Sequence, residues 1–255
     1  MSGRRPSERG AAGAARTGAP LCPTGSSRLS GRARRARRAK APDGPTRERL
    51  VQAAREVLER GGYATASVVA IAERAGVSAG ALYRHFPSKA DLFVEVFRVA
   101  AEGELGALNG AATRTESCAA RLELIVATYA RRALHNRRLA WALVYEPVDP
   151  MVDAERLIYR RNYCRGMAAL IRQGIAAGEF PPENAELTAA ALVGAIAETL
   201  VGPLSPIGGD TASEAEIVAS LVRFCRRGVG GRDAPALASV RSSSSRARAR
   251  RGPAA

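Results

Sequence analysis

The chain has 255 residues, with 39 lysines and arginines against 24 acidic residues, a formal net charge of +15 and 46% apolar residues. This length and apolar share make room for one or two domains with a sizeable core, and they exclude a wholly disordered or collagen-like chain. The 4 cysteines stand far apart with no CxxC pair and only 2 histidines beside them, which argues against a disulfide scaffold or zinc ribbon and for reduced thiols in a cytoplasm.

The excess charge is uneven. Residues 1–45 carry +9 and residues 228–255 carry +5, whereas 46–227 carry only +1. A nearly neutral globule between two basic tails is expected. The run Arg32 to Lys40 and the Ser/Arg-Ala repeat from Ser242 to Arg251 have little apolar surface to offset chain entropy, so both tails are expected to be disordered. They either add phosphate attraction through counterion release or are simply solvated. No apolar segment follows the early arginines, so no secretory signal is expected, and a transit peptide reading lacks its amphipathic helix.

In chain order, Leu50, Val51, Ala54, Val57 and Leu58 form one face of a helix that starts near Thr46 and ends at Gly61-Gly62. Val68, Ile71, Ala72 and Ala75 mark a short second helix, with Ser67 as N-cap and Gly76 as the glycine past its end. Ser78 caps a third, Ala79 to Phe86, with Leu82 and Phe86 inside and Pro87 as its stop. Ser88 caps a fourth, with Leu92, Phe93, Val96 and Phe97 on one side. Beyond residue 104 come a helix marked by Leu122, Ile125, Val126 and Tyr129, and a short one, Leu139 to Tyr145, ended by Pro147 and Pro150. Three more follow: Ala154 to Ala177, Glu183 to Leu200, and, after a turn region over 203–209, Ala215 to Arg227. The apolar stretch from Leu187 to Leu200 is interrupted by Thr188 and Glu198, so no membrane span is expected. No alternating strand pattern of useful length occurs. The predicted fold class is all-α.

The segment 67–86, SVVAIAERAGVSAGALYRHF, carries the function. A helix, a tight Ala-Gly-Val turn and a serine-capped second helix make a helix-turn-helix, whose second helix can lie in a DNA major groove. Gly76 permits the left-handed turn residue, Ala72 allows close approach of the two helices, and Val77 fills the space between them. The small residues Ser78, Ala79, Gly80 and Ala81 let the N-terminus of the second helix come close to phosphate. The same stretch contains Gly76-Val77-Ser78-Ala79-Gly80, a G-x-S-x-G pattern, but a nucleophile elbow needs a strand before its serine and a helix precedes this one. No paired carboxylates, P-loop or metal-ligand cluster stands out, so neither an enzyme nor a cofactor or metal is expected. An RNA-binding reading of the basic tails lacks aromatic residues for base stacking.

The stretch Thr46–Phe97 resembles the DNA-binding domain of the TetR family of bacterial transcriptional regulators. The matching residues are Ala53-Ala54, Gly62-Tyr63, Ile71-Ala72, Ala75-Gly76-Val77-Ser78, Gly80, Leu82-Tyr83, His85-Phe86, Lys89 and Leu92. Family members carry a threonine just before the position of Ser67. This chain has Ala66 there and Thr65 one earlier, so Thr65 and Ser67 are both candidates for the phosphate-binding hydroxyl. The resemblance implies that Tyr83 and Lys89 bind phosphates, that Ser78, Ala79, Gly80 and Arg84 face the groove, and that His85 sits at its edge. The residue types themselves support Tyr83, Arg84 and Lys89 as donors. Arg84 reads either a guanine edge or a phosphate, and His85 reads as a cap on the helix end.

The resemblance also implies an apolar pocket in the second half of the chain. Tyr129, Trp141, Tyr145, Tyr159 and Tyr163 are its candidate lining, with ordinary core packing as the other use of each. Arg160, Arg161 and Arg165 read as a solvated helix face, an anionic ligand group being the other use. The small-faced helix bearing Leu192, Val193, Ile196 and Leu200, together with Leu221 and Phe224 on the last helix, is the expected dimer interface. The plan is therefore a disordered basic extension over 1–45, a helix-turn-helix DNA-binding domain over 46–103, a helical ligand-binding and dimerisation domain over 104–227, and a basic Ser/Arg tail over 228–255. The expected function is that of a cytoplasmic, nucleoid-associated regulator with no membrane partner. It is a homodimer that binds double-stranded DNA at a pseudo-palindromic operator and is released by a small-molecule effector. The alternative is a ligand-independent DNA-binding accessory protein using the helix-turn-helix and the tails.

Overall fold

Short polar side chains set where the helices begin. The computed structural model describes residues 44–113, 115, 117–208 and 212–230; the basic extension and the Ser/Arg tail lie outside the described residues except at their inner ends. Among the described residues every regular element is a helix: α1 (Gly44–Thr65), α2 (Val68–Ala75), α3 (Ala79–His85), α4 (Lys89–Ala112), α5 (Cys118–His135), α6 (Arg137–Val144), α7 (Pro150–Ala176), α8 (Ala185–Leu204) and α9 (Glu214–Gly228). Ser67, Ser78, Ser88, Ser117, Asn136, Asp149, Asn184 and Ser213 each accept a hydrogen bond from a backbone N–H in the first turn they precede. Each such cap contributes about 1 kcal/mol.

Several boundaries differ from the sequence expectation, each for a local reason. α1 does not stop at Gly61-Gly62 but runs to Thr65 across a kink, at which Gly62 takes φ 79° and ψ −177°. Pro150 opens α7 rather than ending α6. It occupies the first turn behind the Asp149 cap, where its missing N–H has no intrahelical partner to lose. Pro203 falls inside α8, in its last turn, rather than in the turn beyond it. α4 is one helix of 24 residues that passes straight through positions 103 and 104.

Two apolar cores lie along that long helix. The head core gathers Leu50, Ala54 and Leu58 of α1, Ile71 and Ala72 of α2, Leu82 of α3, and Leu92, Phe93 and Val96 of α4. The body core joins Leu122, Ile125 and Val126 of α5 with Leu170 and Ile171 of α7, Leu192, Ile196 and Leu200 of α8, and Leu221 and Cys225 of α9. Each fully buried Leu, Ile or Phe contributes about 1.5–3 kcal/mol of burial. The head core does not end at α4. It also takes in Leu139 and Ala142 of α6 and Val152 and Tyr159 of α7. The head is therefore seated on the body through α6 and the first half of α7.

α8 is long and apolar enough to cross a membrane by length and composition alone. In this fold it packs against α5, α6, α7 and α9, with Ala189, Leu192, Ile196 and Leu200 in the body core. At the other end of the body, Gly178 (φ 73°) closes α7, and the chain turns so that Glu179 meets the N-terminus of α5. Its carboxylate accepts from the N–H groups of Cys118 (2.9 Å) and Ala119 (3.0 Å) and from the Ser117 hydroxyl (2.8 Å). Burial pushes this carboxyl up, but those donors together outweigh it and hold it below the usual carboxylate range. A depressed folded-state pKa contributes stability above the unfolded value and loses it as pH falls through the folded one. Glu179→Gln is therefore expected to melt lower at neutral pH and to show a shallower loss of Tm on acidification. Thermal denaturation followed by circular dichroism between about pH 3 and 7 checks this.

Candidate nucleic-acid interface and ligand cavity

The helix-turn-helix is built from its turn outward. Gly76 adopts φ 69° and ψ 36°, its N–H bonds the Glu73 carbonyl, and the Val77 N–H reaches back to the Ala72 carbonyl (3.0 Å). This is a Schellman-type close, and it turns the chain into Ser78 without a break in hydrogen bonding. Val77 packs partly buried against the head core. The Ser78 hydroxyl oxygen accepts from the Ala81 N–H at 3.1 Å and starts α3. The serine of the G-x-S-x-G pattern thus lies between two helices, with its oxygen engaged in capping.

Within α3 the two neighbours Leu82 and Tyr83 part company. Leu82 is 0% exposed and Phe86 2%, both inside the head core, while Tyr83 is 51% exposed. Arg84, Ser78 and Gly80 are exposed as well, and Ala79 is half-buried. α3 bears Arg84 and His85 and no carboxylate, and among the described residues Arg84 has no acidic group within ion-pair distance. A phenol and an unpaired guanidinium therefore stand side by side on the open face of a short helix.

The remaining predicted positions divide. Ser67 is exposed and caps α2 through the Ala70 N–H. Thr65 is exposed too, but its hydroxyl donates to the Gly61 carbonyl at 2.8 Å and is turned onto its own helix. His85 ends α3 half-buried, and its Nδ1 has no hydrogen-bond partner. Lys89 is folded inward: Nζ donates to the Tyr63 carbonyl (3.0 Å) and lies 4.3 Å from the centre of the Tyr63 ring. Burial lowers its pKa, with Glu146 opposing. Lys89 thus ties the first turn of α4 to the end of α1.

Next to that tie is a set of groups that the sequence did not single out. Arg138 of α6 lies 3.8 Å from Glu146, which is buried and has one carboxylate oxygen unpartnered, and both close on Gly62. Arg156 of α7 clips the C-terminal end of α6. Its Nε donates to the Leu143 carbonyl (2.7 Å), Nη1 to the Glu146 carbonyl (3.0 Å) and Nη2 to the Ala142 carbonyl (2.8 Å). Burial lowers the Arg156 pKa, with the Asp153 carboxylate pulling the other way.

Behind this junction the body holds a partly open cavity of about 1100 Å³ between α4, α5, α6, α7 and α8. Tyr129, Tyr159 and Tyr163 line it as predicted. Trp141 and Tyr145 do not. They stack on each other at 5.5 Å against the body core, and the Tyr145 hydroxyl donates to the Ala197 carbonyl. Lining that sequence reasoning missed includes Phe97, Leu108, Ile125, Met167 and Ile196, and also Arg131 and Arg156; of the three arginines weighed for an anionic group, Arg160 lines the cavity. Of the predicted dimer residues, Leu192, Ile196, Leu200 and Leu221 are buried within the single chain, Val193 is half-buried, and Phe224 is 54% exposed.

A helix-turn-helix head on a helical body that carries a cavity defines the class of helix-turn-helix regulatory proteins. Residues 50–96 match the family model for bacterial regulatory proteins of the tetR family, and residues 115–201 match the tetracyclin repressor-like C-terminal domain. The chain belongs to the TetR family.

It is similar to the nucleoid occlusion factor SlmA of Marinomonas sp. (strain MWYL1), 36% identical over 80 residues, which is 31% of this chain and 41% of that protein. It is also similar to the HTH-type transcriptional repressor KstR of Mycolicibacterium smegmatis, 41% identical over 69 residues, 25% of this chain and 34% of that one. The chain spans about two fifths or less of the length of these curated relatives. Among solved structures, a bacterial regulatory protein in the tetR family from Rhodococcus RHA1 aligns with a TM-score of 0.59 at 26% identity, covering 74% of this chain and 98% of that one.

Proposed function

We propose that this chain is a sequence-specific DNA-binding transcriptional regulator. It acts as a cytoplasmic homodimer on a pseudo-palindromic operator and is released by a small molecule bound in the cavity. The observation that carries the reading is the split in α3, with Leu82 sealed in the core and Tyr83 and Arg84 left open and unpaired beside it. That is what a recognition helix needs: an apolar anchor on one side and donors on the other. Tyr83 is assigned to a phosphate, and Arg84 to a guanine edge or a phosphate, with Ser67, Ser78 and Gly80 near the backbone. Lys89 serves the contact indirectly, by fixing α4 to α1.

The dimer reading rests on the outer faces of the last two helices. Leu187 is 70% and Phe224 54% exposed, and Ala190, Ala191 and Ala219 are exposed beside them. Apolar side chains left in water on α8 and α9 suit a four-helix contact across a two-fold axis. Leu192, Ile196, Leu200 and Leu221 hold the two helices to their own subunit, and Phe224 and the small residues are the ones free to meet a partner. The similarity to a nucleoid occlusion factor favours a second reading, a DNA-bound accessory protein without an effector. The 1100 Å³ cavity supports the first.

Selection of bound sites from a random DNA pool tests the proposal. The wild type is expected to enrich a two-fold-related pair of half-sites about one helical turn apart. Arg84→Ala is expected to weaken binding by about 10- to 100-fold and to relax preference at one base pair. Tyr83→Ala should weaken all sequences alike. Full operator binding by the double variant in gel shifts would overturn the assignment.

A further inference from the structure

The cavity has a charge pattern of its own. Its lining carboxylates are mostly neutralised at home: Glu104 pairs with Arg132 at 2.6 Å and Asp153 with Arg156 at 2.8 Å. Arg131 and Arg160 line the same space with no acidic group within ion-pair distance among the described residues, against one such carboxylate, Glu214. The uncompensated lining charge is therefore positive.

Arg160 is the better placed of the two arginines. It stands on α7 one turn from Tyr163, and its Nη2 reaches across to α8, within 3.9 Å of where a side chain on Gly194 would begin. Tyr129 lines the same space from α5. Burial keeps the Tyr129 phenol protonated, up at about 12, with Glu104 adding to this and the Arg160 charge opposing it. No described residue hydrogen-bonds the Tyr129 hydroxyl, although its ring packs on Tyr163 at 6.4 Å. An exposed guanidinium and a neutral O–H donor, neither with a protein partner among the described residues, thus line the same largely apolar, partly open space.

We propose that the cavity takes an anionic amphiphile, whose apolar body lies against Leu108, Ile125, Met167 and Ile196 and whose acidic group is held by Arg160 and the Tyr129 hydroxyl. The proposal rests on the reading of this cavity as the effector site. Guanidinium suits a carboxylate or phosphate because it offers paired N–H donors that stay charged. A phenol adds a donor without adding charge. A cationic ligand is disfavoured by the same residues. Of the lining carboxylates, Glu104 has its unpartnered Oε1 buried without accessible surface and its other oxygen taken by Arg132, which leaves Glu214 as the single uncompensated acid against two arginines.

Four probes of one chain length separate the head group from the tail: dodecanoate, dodecyl phosphate, dodecanol and dodecylamine, each below its micelle concentration. Titration calorimetry on the full chain is expected to rank one or both anions above dodecanol, and dodecylamine last. The order of the two anions tells a carboxylate site from a phosphate site. Arg160→Ala is expected to weaken the preferred anion by about tenfold or more and to leave dodecanol unchanged, and Tyr129→Phe to weaken it by less. Arg131→Ala should leave the anion bound as in the wild type.

Equal binding of dodecanol and the anions, no binding of any probe, or a loss confined to Arg131→Ala would each overturn the proposal. The outcome stays separate from that of the regulator reading, because operator selection is scored on the unliganded wild type. Binding of the anions without operator selection would sink only the regulator reading, and operator selection without head-group preference would sink only this one.

Discussion

Gly62→Ala is expected to destabilise the protein by about 3 kcal/mol or more, the sum of a backbone and a steric cost. At φ 79° and ψ −177°, Gly62 lies in a region that only glycine occupies without strain. Holding an L-residue there costs about 1–3 kcal/mol. A methyl group would also have no room. It would overlap the Arg138 guanidinium and stand 2.5 and 2.6 Å from the two carboxylate oxygens of Glu146. These are ends of flexible side chains, but Glu146 is buried and Arg138 is its counter-charge, so making room disturbs the pair. Pushing them apart adds overpacking of about 1–3 kcal/mol and weakens a buried charge pair. For a folded region of this size the loss corresponds to a Tm lower by about 10 °C. The control is Gly103→Ala in α4, where an added Cβ meets nothing within 4 Å. Alanine there is expected to be neutral or stabilising by up to about 1 kcal/mol, since it removes a helix-interior glycine. Thermal unfolding of both variants at one protein concentration decides the matter. A Gly62→Ala melt indistinguishable from the wild type would mean that the kink between α1 and the head–body junction is not built as described.

The contrast between these two glycines marks where the sequence was legible. Helix starts were, because a cap is a local matter: Ser67, Ser78 and Ser88 each bond a backbone N–H three residues on. The turn of the helix-turn-helix was legible for the same reason, since Gly76 and the spacing of Ile71, Leu82 and Phe86 lie within twenty residues of chain. Gly62 was read as a stop, because a pair of glycines at the end of an apolar face ordinarily is one. That it is a kink held by Arg138 and Glu146 depends on residues more than seventy positions away. The setting of Lys89 was hidden in the same way. Its type suggests phosphate, and only the fold brings the Tyr63 carbonyl to it.

The cavity and the dimer faces were legible only as apolar stretches. Periodicity says that a helix has an apolar face and is silent on what covers it. Leu192 and Leu200 turn out to be covered by their own chain, whereas Leu187 and Phe224 on the same two helices are not. The aromatic residues chosen as cavity lining split likewise. Tyr129, Tyr159 and Tyr163 reach the space, while Trp141 and Tyr145 fill the core beside it. A residue lining a cavity and one filling a core have the same chemistry, so a single sequence does not tell them apart. Arg156 and Arg160 are harder still. They are one turn apart on α7, yet one is consumed by three carbonyls at and just beyond the end of α6 and the other is left without an acidic partner among the described residues.

Arg156→Ala is expected to cost about 3 kcal/mol, through three carbonyls at the end of α6 that lose a charged donor. Hydrogen bonds from a charged group are worth about 1.5–3 kcal/mol each in isolation, and water reaching the frayed helix end recovers part of the sum. The ion pair with Asp153 contributes little of it, because that carboxylate is 57% exposed. Asp153→Asn should accordingly stay within about 1 kcal/mol of the wild type. Arg156→Lys separates stability from signalling. A single ammonium replaces the charge but does not span Ala142, Leu143 and Glu146 together. α6 carries Leu139 and Ala142 into the head core while Arg156 itself lines the cavity, so the clip is one physical connection between the two. Two sites are coupled only through an element that both bias, and α6 held by Arg156 is such an element. On the proposed function, Arg156→Lys is expected to bind operator about as the wild type does, and to need about tenfold more effector for release. Gel shifts on the selected operator, titrated with the best-bound amphiphile, measure both quantities at once. Unchanged effector response in a variant that has lost the three carbonyl contacts would remove α6 from the path between cavity and head.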